Sequence, residues 1–194
     1  MLSDKKVLEL KDIFNRKKYC QIDNFFHPQL IEYFKISSSM LDLISKPDSG
    51  FVSNSLNTYA PTIGENLLIY LTPIYSKIIG KNLIPTYSYF RTYFKDNNLP
   101  IHKDRPSCQY SATIQINSSS NNIWPIMFKS NKKNIKINST MGDIIFYKGQ
   151  ELLHWRERLD YEYSSHLFLH WVDGDDPNYN EYWWDGRERL GSPK

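Results

Sequence analysis

The sequence is poor in several features that define whole classes of protein. Alanine and cysteine each occur only twice among 194 residues. Cys20 and Cys108 are too few for a disulfide framework and form no CxxC pair, so a reducing compartment is the default expectation. No apolar run approaches the roughly 20 residues of a membrane-spanning helix, and the N-terminal segment lacks an apolar stretch of the signal-peptide type. We therefore expect a cytoplasmic protein without a membrane partner.

A strong excess of one charge is also missing. The chain has 24 basic and 21 acidic residues, which gives a formal net charge of +3. This charge is too small to indicate a nucleic-acid partner by itself, although it does not exclude one. The 23% of charged and 40% of hydrophobic residues are ordinary for a globular protein. The length fits one domain, residues 1–194.

Aromatic residues are abundant where alanine is scarce. They make up 15% of the chain, with 14 Tyr and 10 Phe, and aromatic side chains favour strands while alanine favours helices. After residue 84, short runs of strand formers alternate with clusters of Asn, Ser, Gly and Lys, which predicts an antiparallel sandwich or barrel. The predicted strands cover residues 85–94, 110–116, 123–128, 134–137, 143–147 and 166–172.

The first 83 residues have a different pattern. Residues 19–26 predict a short strand and a turn, and apolar residues at helical spacing predict a helix over 28–44, with Pro28 in its first turn. The serine run 37–39 leaves two shorter helices as an alternative. Residues 46–62 are predicted as loop, and residues 65–79 as a helix that ends at Gly80. The predicted fold class is thus α+β, mainly β: a double-stranded β-helix (jelly roll) with N-terminal helices packed on one side.

Three residues could form a metal site. His102 and Asp104 form an HxD pair, and residues two apart on a strand point to the same face. His154 follows the strand 143–147 and offers a third ligand. Two histidines and one carboxylate make the facial triad of non-haem Fe(II) oxygenases, which leaves open coordination positions. Alternatively, His102 and Asp104 form a surface pair and His154 is a structural core residue. Spacing alone leaves both interpretations open.

Five segments in a fixed order give a more specific signal. They are the segment 19–26 (YCQIDNFF), Arg91-Thr92-Tyr93, His102-Lys103-Asp104, the segment 141–146 (MGDIIF), and His154 with the strand 166–172 after it. This ordered set resembles the 2-oxoglutarate- and Fe(II)-dependent oxygenases, specifically the prolyl-4-hydroxylase-like group. The resemblance covers about the last two thirds of the chain and the segment 19–26.

The resemblance implies a fold, cofactors and a reaction. It implies a single oxygenase domain over 1–194, with a helical support region (1–83), a jelly-roll core (84–172) and a C-terminal tail (173–194). It implies Fe(II) bound by His102, Asp104 and His154, with 2-oxoglutarate and dioxygen as cosubstrates. The implied reaction is hydroxylation of a peptidyl proline or a small amino-acid-like substrate, with succinate and CO2 as coproducts. The alternatives are a nucleobase-modifying 2-oxoglutarate oxygenase and a non-catalytic cupin-like binding module.

The sequence departs from this group at the residue that binds the far carboxylate of 2-oxoglutarate. The group has Arg or Lys about ten residues after the distal histidine, but Ser164 stands here, and alignment of the last strand puts His166 in that place. Fe(II), one aspartate and 2-oxoglutarate sum to −1, and burying the far carboxylate without a partner costs several kcal/mol or more. A cation is therefore required. The candidates, in order, are His166 with Tyr93, then Arg91, then Arg105.

The substrate side is less defined. The Gly-Gly-x-Leu segment of the group is replaced by Asn-Asn-Ile before Trp124, on a strand that borders the substrate mouth in such folds. Trp124 and Arg156 are therefore the candidates for the substrate side, and Arg156 also belongs to the wider set of possible cations. The expected partner is a small-molecule or peptide substrate.

Overall fold

The computed structural model describes residues 2–48, 50–130 and 133–192, and three α-helices lie in its N-terminal part. They are α1 (Asp4–Lys17), α2 (Pro28–Ile44) and α3 (Thr62–Ile79). The sequence did not predict α1, whose N-cap is Ser3, with its hydroxyl accepting a hydrogen bond from the Lys6 backbone. Helix α2 runs unbroken through the serine run because Ser38 is buried within it. Gly80 ends α3 in the left-handed conformation, as predicted.

The strands form two antiparallel sheets. The larger sheet contains β1 (Tyr19–Ile22), β2 (Lys46–Pro47), β3 (Leu56–Tyr59), β4 (Leu83–Phe94), β6 (Tyr110–Ser118), β9 (Ile144–Tyr147) and β11 (Tyr163–Asp173). Its order is β1-β9-β6-β11-β4-β3-β2. The smaller sheet has the order β5-β10-β7-β8, with β5 (Leu99–His102), β7 (Ile126–Ser130), β8 (Lys133–Ile137) and β10 (Leu153–Arg156). The predicted antiparallel β core is thus confirmed.

One sequence prediction about this region was wrong. The segment 46–62 was expected to be loop, but it contributes β2 and β3, and β3 pairs with β4. These strands are short and lie at the sheet edge, one contains Pro47, and every residue of β3 is only partly buried. An edge strand with little burial lacks the hydrophobic alternation by which strands are recognised.

The central strands of the larger sheet have two different faces. One face carries apolar residues that pack with the helices in a single core, including Phe14, Leu68, Leu71, Tyr75, Phe90, Leu167, Leu169 and Trp171. Helix α3 contacts β4 and β11, and α2 contacts β6. The opposite face points between the two sheets and carries Tyr93 and His166, which are 1% exposed. Since side chains alternate along a strand, this second face lines the interior between the sheets.

The C-terminal tail is anchored on the larger sheet. Pro177–Gly186 form 3-10 turns that contact β4. Asp185 accepts hydrogen bonds from Tyr59 (2.6 Å) and Arg105 (3.1 Å), and Arg187 forms a buried ion pair with Glu65 of α3 at 2.9 Å. These hydrogen bonds and this ion pair therefore hold the tail against the larger sheet and α3. Separately, no helix in the described part of the chain is long and apolar enough to cross a membrane.

Candidate active site

The structure brings the three predicted metal ligands together. His102 ends β5, Asp104 lies two residues later in a loop, and His154 on β10 is the register partner of His102. The Nε2 atoms of His102 and His154 lie 3.5 and 3.4 Å from the same Asp104 oxygen, Oδ1. One donor atom from each residue falls within 4.8 Å of the others. The geometry is thus suited to three ligands around one ion.

Both histidines have the tautomer that a metal ligand needs. Nδ1 of His102 lies 2.8 Å from the Pro100 carbonyl oxygen, and Nδ1 of His154 lies 3.0 Å from that of Leu152. A carbonyl can only accept a hydrogen bond, so each Nδ1 carries the proton and donates it. Each Nε2 faces the Asp104 carboxylate, to which it donates a hydrogen bond when protonated and beside which it offers its lone pair to a metal ion when it is not. A backbone partner for the second nitrogen is characteristic of metal-binding histidines.

Asp104 is also held by contacts of its second carboxylate oxygen, Oδ2. Its Oδ2 accepts a hydrogen bond from Ser111 at 2.7 Å, and Ser111 lies 3.0 Å from Nδ1 of His170. A Cβ atom at Gly149 would lie 2.1 Å from Oδ2, so only glycine fits there. Burial raises the pKa of Asp104, but hydrogen bonds with His102 and His154 outweigh it and hold the pKa well below its usual range. The ionised carboxylate therefore turns one oxygen toward the histidines.

A cavity of about 390 Å³ opens next to the triad. Its walls are largely aromatic and include Phe51, Tyr87, Tyr89, Tyr93, Tyr147 and Phe168, together with the three triad residues. This volume lies within the range of small-molecule sites, which is roughly 300–1,000 Å³. Six aromatic side chains thus surround the candidate metal centre.

His166 is close to Tyr93 but has the properties of a neutral side chain. The two rings are 5.9 Å apart, and Nε2 of His166 lies 2.9 Å from the Ser164 hydroxyl. Complete burial, and then the nearby positive charge of Arg156, lower the pKa of His166 well below its usual value. At neutral pH the ring therefore carries no charge, while its Nδ1 has no hydrogen-bond partner.

Arg91 and Arg105 line the cavity, but each is paired with a carboxylate. Arg91 lies 2.5 Å from Asp48 and over the rings of Tyr89 and Tyr93. Arg105 lies 3.1 Å from Asp185 and is about half exposed. Arg91 and Tyr93, two residues apart on β4, both line the cavity. The charge of each arginine is already balanced by the protein.

Arg156 and Trp124, the two predicted substrate-side residues, contact each other deep in the interior. They are 1% and 4% exposed, and the Arg156 guanidinium lies 5.0 Å from the Trp124 ring and donates to its backbone oxygen. Its Nε has no partner, and within residues 2–48, 50–130 and 133–192 no carboxylate pairs with it. Burial lowers the pKa of Arg156 to about 10, so the side chain is still charged at neutral pH.

Three residues of the site were not predicted in this role. Ser111 and His170 orient Asp104, and Gly149 makes room for it. His166 and His170 lie four residues apart on β11, so their side chains share one face of the strand. The sequence has no signal for Gly149, because its requirement comes from a contact between two distant loops.

Among known proteins, no family profile matches the chain, and no curated protein matches it by sequence. Solved structures do match. A prolyl-4-hydroxylase of Pseudomonas putida has a TM-score of 0.71 at 12% identity, covering 87% of this chain and 100% of that one. HygX from Streptomyces hygroscopicus has a TM-score of 0.67 at 12% identity, with 88% and 87% coverage. A prolyl hydroxylase from Trichoplax adhaerens has a TM-score of 0.64 at 11% identity, with 93% and 98% coverage.

The chain has the fold of the 2-oxoglutarate- and Fe(II)-dependent oxygenases. This is the jelly roll that the order of its motifs implied. At these identities the likeness concerns the fold, and the roles of individual residues rest on the geometry of this chain.

Proposed function

We propose that this chain is an Fe(II)- and 2-oxoglutarate-dependent dioxygenase that hydroxylates a peptidyl proline or a small amino-acid-like substrate, releasing succinate and CO2. The observation that carries the proposal is the triad of His102, Asp104 and His154 at the cavity, with both Nε2 atoms directed at Asp104 Oδ1. We further propose that residues 1–194 form one oxygenase domain, in which the helical region 1–83 supports the jelly-roll core 84–172, followed by the tail 173–194.

The donor set fits Fe(II). Two neutral imidazoles and one carboxylate form the ligand set of non-haem Fe(II) oxygenases and leave coordination positions open toward the cavity. When bound, Fe(II) supplies the activation of dioxygen, with 2-oxoglutarate providing electrons through its oxidative decarboxylation. The protein holds the ligands in place: Ser111 fixes the second oxygen of Asp104, and two backbone carbonyls fix the histidine rings.

For the far carboxylate of 2-oxoglutarate, we assign Arg156 as the counter-ion, ahead of the three candidates ranked from the sequence. His166 is neutral, and Arg91 and Arg105 are paired with carboxylates. Arg156 is the buried cation whose Nε is unpartnered and which no described carboxylate neutralises. Leaving a buried charge unpaired is costly, so an anionic ligand there would be strongly stabilised.

The surroundings of Arg156 support this assignment. It interacts electrostatically with Tyr93, Tyr147 and Tyr161, and the first two of these line the cavity. The buried hydroxyls of Thr113 and Tyr161 also lack partners. His154 and Arg156 lie two residues apart on β10 and are both buried, so the metal position and the guanidinium belong to one strand. One end of the cosubstrate would thus reach the metal and the other the guanidinium.

The substrate class rests on the cavity mouth and on the structural neighbours. HygX has been solved with hygromycin B bound, and the Trichoplax prolyl hydroxylase with a peptide fragment, so this fold accepts both small molecules and peptides. The half-exposed ring of Phe51 and the tyrosines of β4 offer an apolar and aromatic mouth for either. The net charge of +3 gives less support to a nucleobase within nucleic acid.

A spectroscopic experiment tests the proposed function without knowledge of the substrate. Anaerobic addition of Fe(II) and 2-oxoglutarate to the protein is expected to give a weak visible charge-transfer band only when both are present. Asp104→Ala removes the sole anionic ligand and should abolish iron binding, the band and succinate formation. Asp96→Ala is the control, because Asp96 is 57% exposed and pairs with Arg158 at the surface.

The outcomes separate the alternatives. A folded wild-type protein without the band would indicate a cupin-like binding module, and an Asp104→Ala variant that still turns over would refute the ligand assignment. Once the band is established, a screen of free amino acids, proline-containing peptides and nucleosides for a mass gain of one oxygen identifies the substrate class.

A further inference from the structure

The outer face of α2 carries a continuous apolar stripe. Its members are Tyr33, Ile36, Met40, Leu43 and Ile44, which are 56%, 64%, 65%, 84% and 70% exposed. The first four are separated by three, four and three residues. This alternation of three and four is the spacing of a helix seam that packs against another helix. The stripe therefore has the pattern of an interface.

The protein's own core does not use this stripe. Phe34 and Ser38 are the buried residues of α2, and Asp42 accepts a hydrogen bond from Thr92 of β4 at 2.6 Å. These residues bind the inner side of the helix to the sheet and leave the stripe outward. A contiguous apolar patch of several hundred Å² on a soluble protein marks an interaction surface more often than an ordinary exterior.

We propose that α2 packs antiparallel against α2 of a second copy of this chain, in a two-fold symmetric dimer. The five exposed side chains together offer on the order of 700 Å² per copy, close to the roughly 800 Å² per partner of a standard interface. A helix seam that faces itself across a two-fold axis is self-complementary, so the same residues serve both copies.

Charge at the two ends of the stripe favours the antiparallel direction. Glu32 lies beside the start of the stripe, where it also pairs with Lys35 at 2.7 Å. Lys46 follows the end of the stripe, and both Glu32 and Lys46 are exposed. Antiparallel packing brings Glu32 of one copy near Lys46 of the other, whereas parallel packing places like charges side by side. The dyad then lies close to Met40, and Ile36 faces Leu43 of the second copy.

The mass in solution tests the dimer. Sedimentation of the wild-type chain across a wide concentration range should give twice the monomer mass of 23.0 kDa. Leu43→Glu should raise the dissociation constant at least about 100-fold, because it buries an unpaired charge at the seam. Leu43 is the most exposed of the five, so the variant should retain the circular dichroism of the wild type. Leu8→Glu on α1, where Leu8 is 64% exposed, is the control and should remain dimeric.

Two results would overturn the proposal. One is a monomeric wild type at every concentration. The other is an equal loss of dimer in Leu43→Glu and Leu8→Glu, which would place the contact elsewhere. Both readouts are independent of iron and 2-oxoglutarate, so they do not depend on the proposed enzymatic function.

Cross-linking tests the direction of the helices. Native Cys20 and Cys108 are buried, so an introduced exposed cysteine reports on the interface alone. A mixture of Ile36→Cys and Leu43→Cys chains should form the mixed disulfide under mild oxidation, while each variant alone should not cross-link efficiently. Efficient cross-linking of each variant with itself would indicate parallel helices and contradict the antiparallel assignment.

Discussion

At the scale of single residues, two side chains of one short strand have different roles in the proposed reaction: one binds the metal and the other binds the cosubstrate. His154 and Arg156 both point to the interior from β10 and are 2% and 1% exposed. The first directs its Nε2 to the metal position, and the second retains a positive charge that no carboxylate among the described residues balances. Binding of the anionic cosubstrate would therefore offset the electrostatic cost of this buried charge.

Replacement of this cation gives a sharp prediction. Arg156→Met keeps much of the side-chain volume but removes the charge, and we expect the dissociation constant of 2-oxoglutarate to rise about 10- to 100-fold. Calorimetric titration with Ni²⁺ in place of Fe(II) measures this under air. The affinity for Ni²⁺ itself should change little, because the triad is intact.

Arg158→Met is the matched control. Arg158 lies two residues further along, is 73% exposed and pairs with Asp96, so its loss should leave 2-oxoglutarate binding as in the wild type. If Arg156→Met bound 2-oxoglutarate normally while His166→Gln did not, the cation would have to be reassigned to His166.

At the scale of secondary-structure elements, the attachment of α3 to the sheet sets the position of β4. Gly64 sits where a Cβ atom would lie 2.5 Å from the Ser88 hydroxyl. The next residue, Glu65, is buried and accepts hydrogen bonds from the Ser88 backbone (3.0 Å) and hydroxyl (2.9 Å). Helix and strand are thus in contact at the closest distance that glycine permits.

Gly64→Ala should therefore destabilise the fold. Adding a methyl group to this contact forces α3 and β4 apart, and overpacking of this kind costs about 1–3 kcal/mol. The free energy of unfolding from urea titration measures the loss. Gly50→Ala, in an exposed loop where the new Cβ meets only Asp48 at 3.4 Å, should change stability by less than about 0.5 kcal/mol. Equal effects of the two substitutions would contradict the close-packing argument.

The same scale shows what the sequence could and could not predict. Strong periodicity identified α2, α3 and β11, and the HxD pair with His154 identified three residues that the structure does bring together. The short strands near the sheet edge, such as β3, were not predicted because partial burial leaves no clear pattern. The sequence also could not show that Arg156 lacks a carboxylate partner among the described residues. The pairing of buried charges depends on tertiary contacts between distant segments.

At the scale of the whole molecule, buried neutral histidines connect stability to pH. Burial lowers the pKa of His166 well below its usual value and that of His170 to about 4. In the unfolded chain both would titrate near 6.5. Below that pH the unfolded state binds more protons than the folded state, so the stability present at neutral pH falls as the pH decreases.

The metal-free protein should thus lose stability between pH 6.5 and about 4, with a slope of up to about 1.4 kcal/mol per pH unit for each histidine. Urea unfolding at several pH values across this window measures the slope. His166→Gln should make it shallower by the contribution of one histidine. An unchanged slope in that variant would mean that folding does not lower the pKa of His166.

Because the site is divided between the two sheets, one part of it can change in sequence while the other stays the same. The histidine ligands and Arg156 belong to the smaller sheet, on β5 and β10, whereas Arg91 and three of the four tyrosines of the cavity wall belong to β4 of the larger one. Substitutions along β4 can reshape the space open to a substrate while the ligand-bearing strands keep their register. Selectivity for the substrate can therefore evolve on β4 while the strands that carry the histidine ligands are preserved.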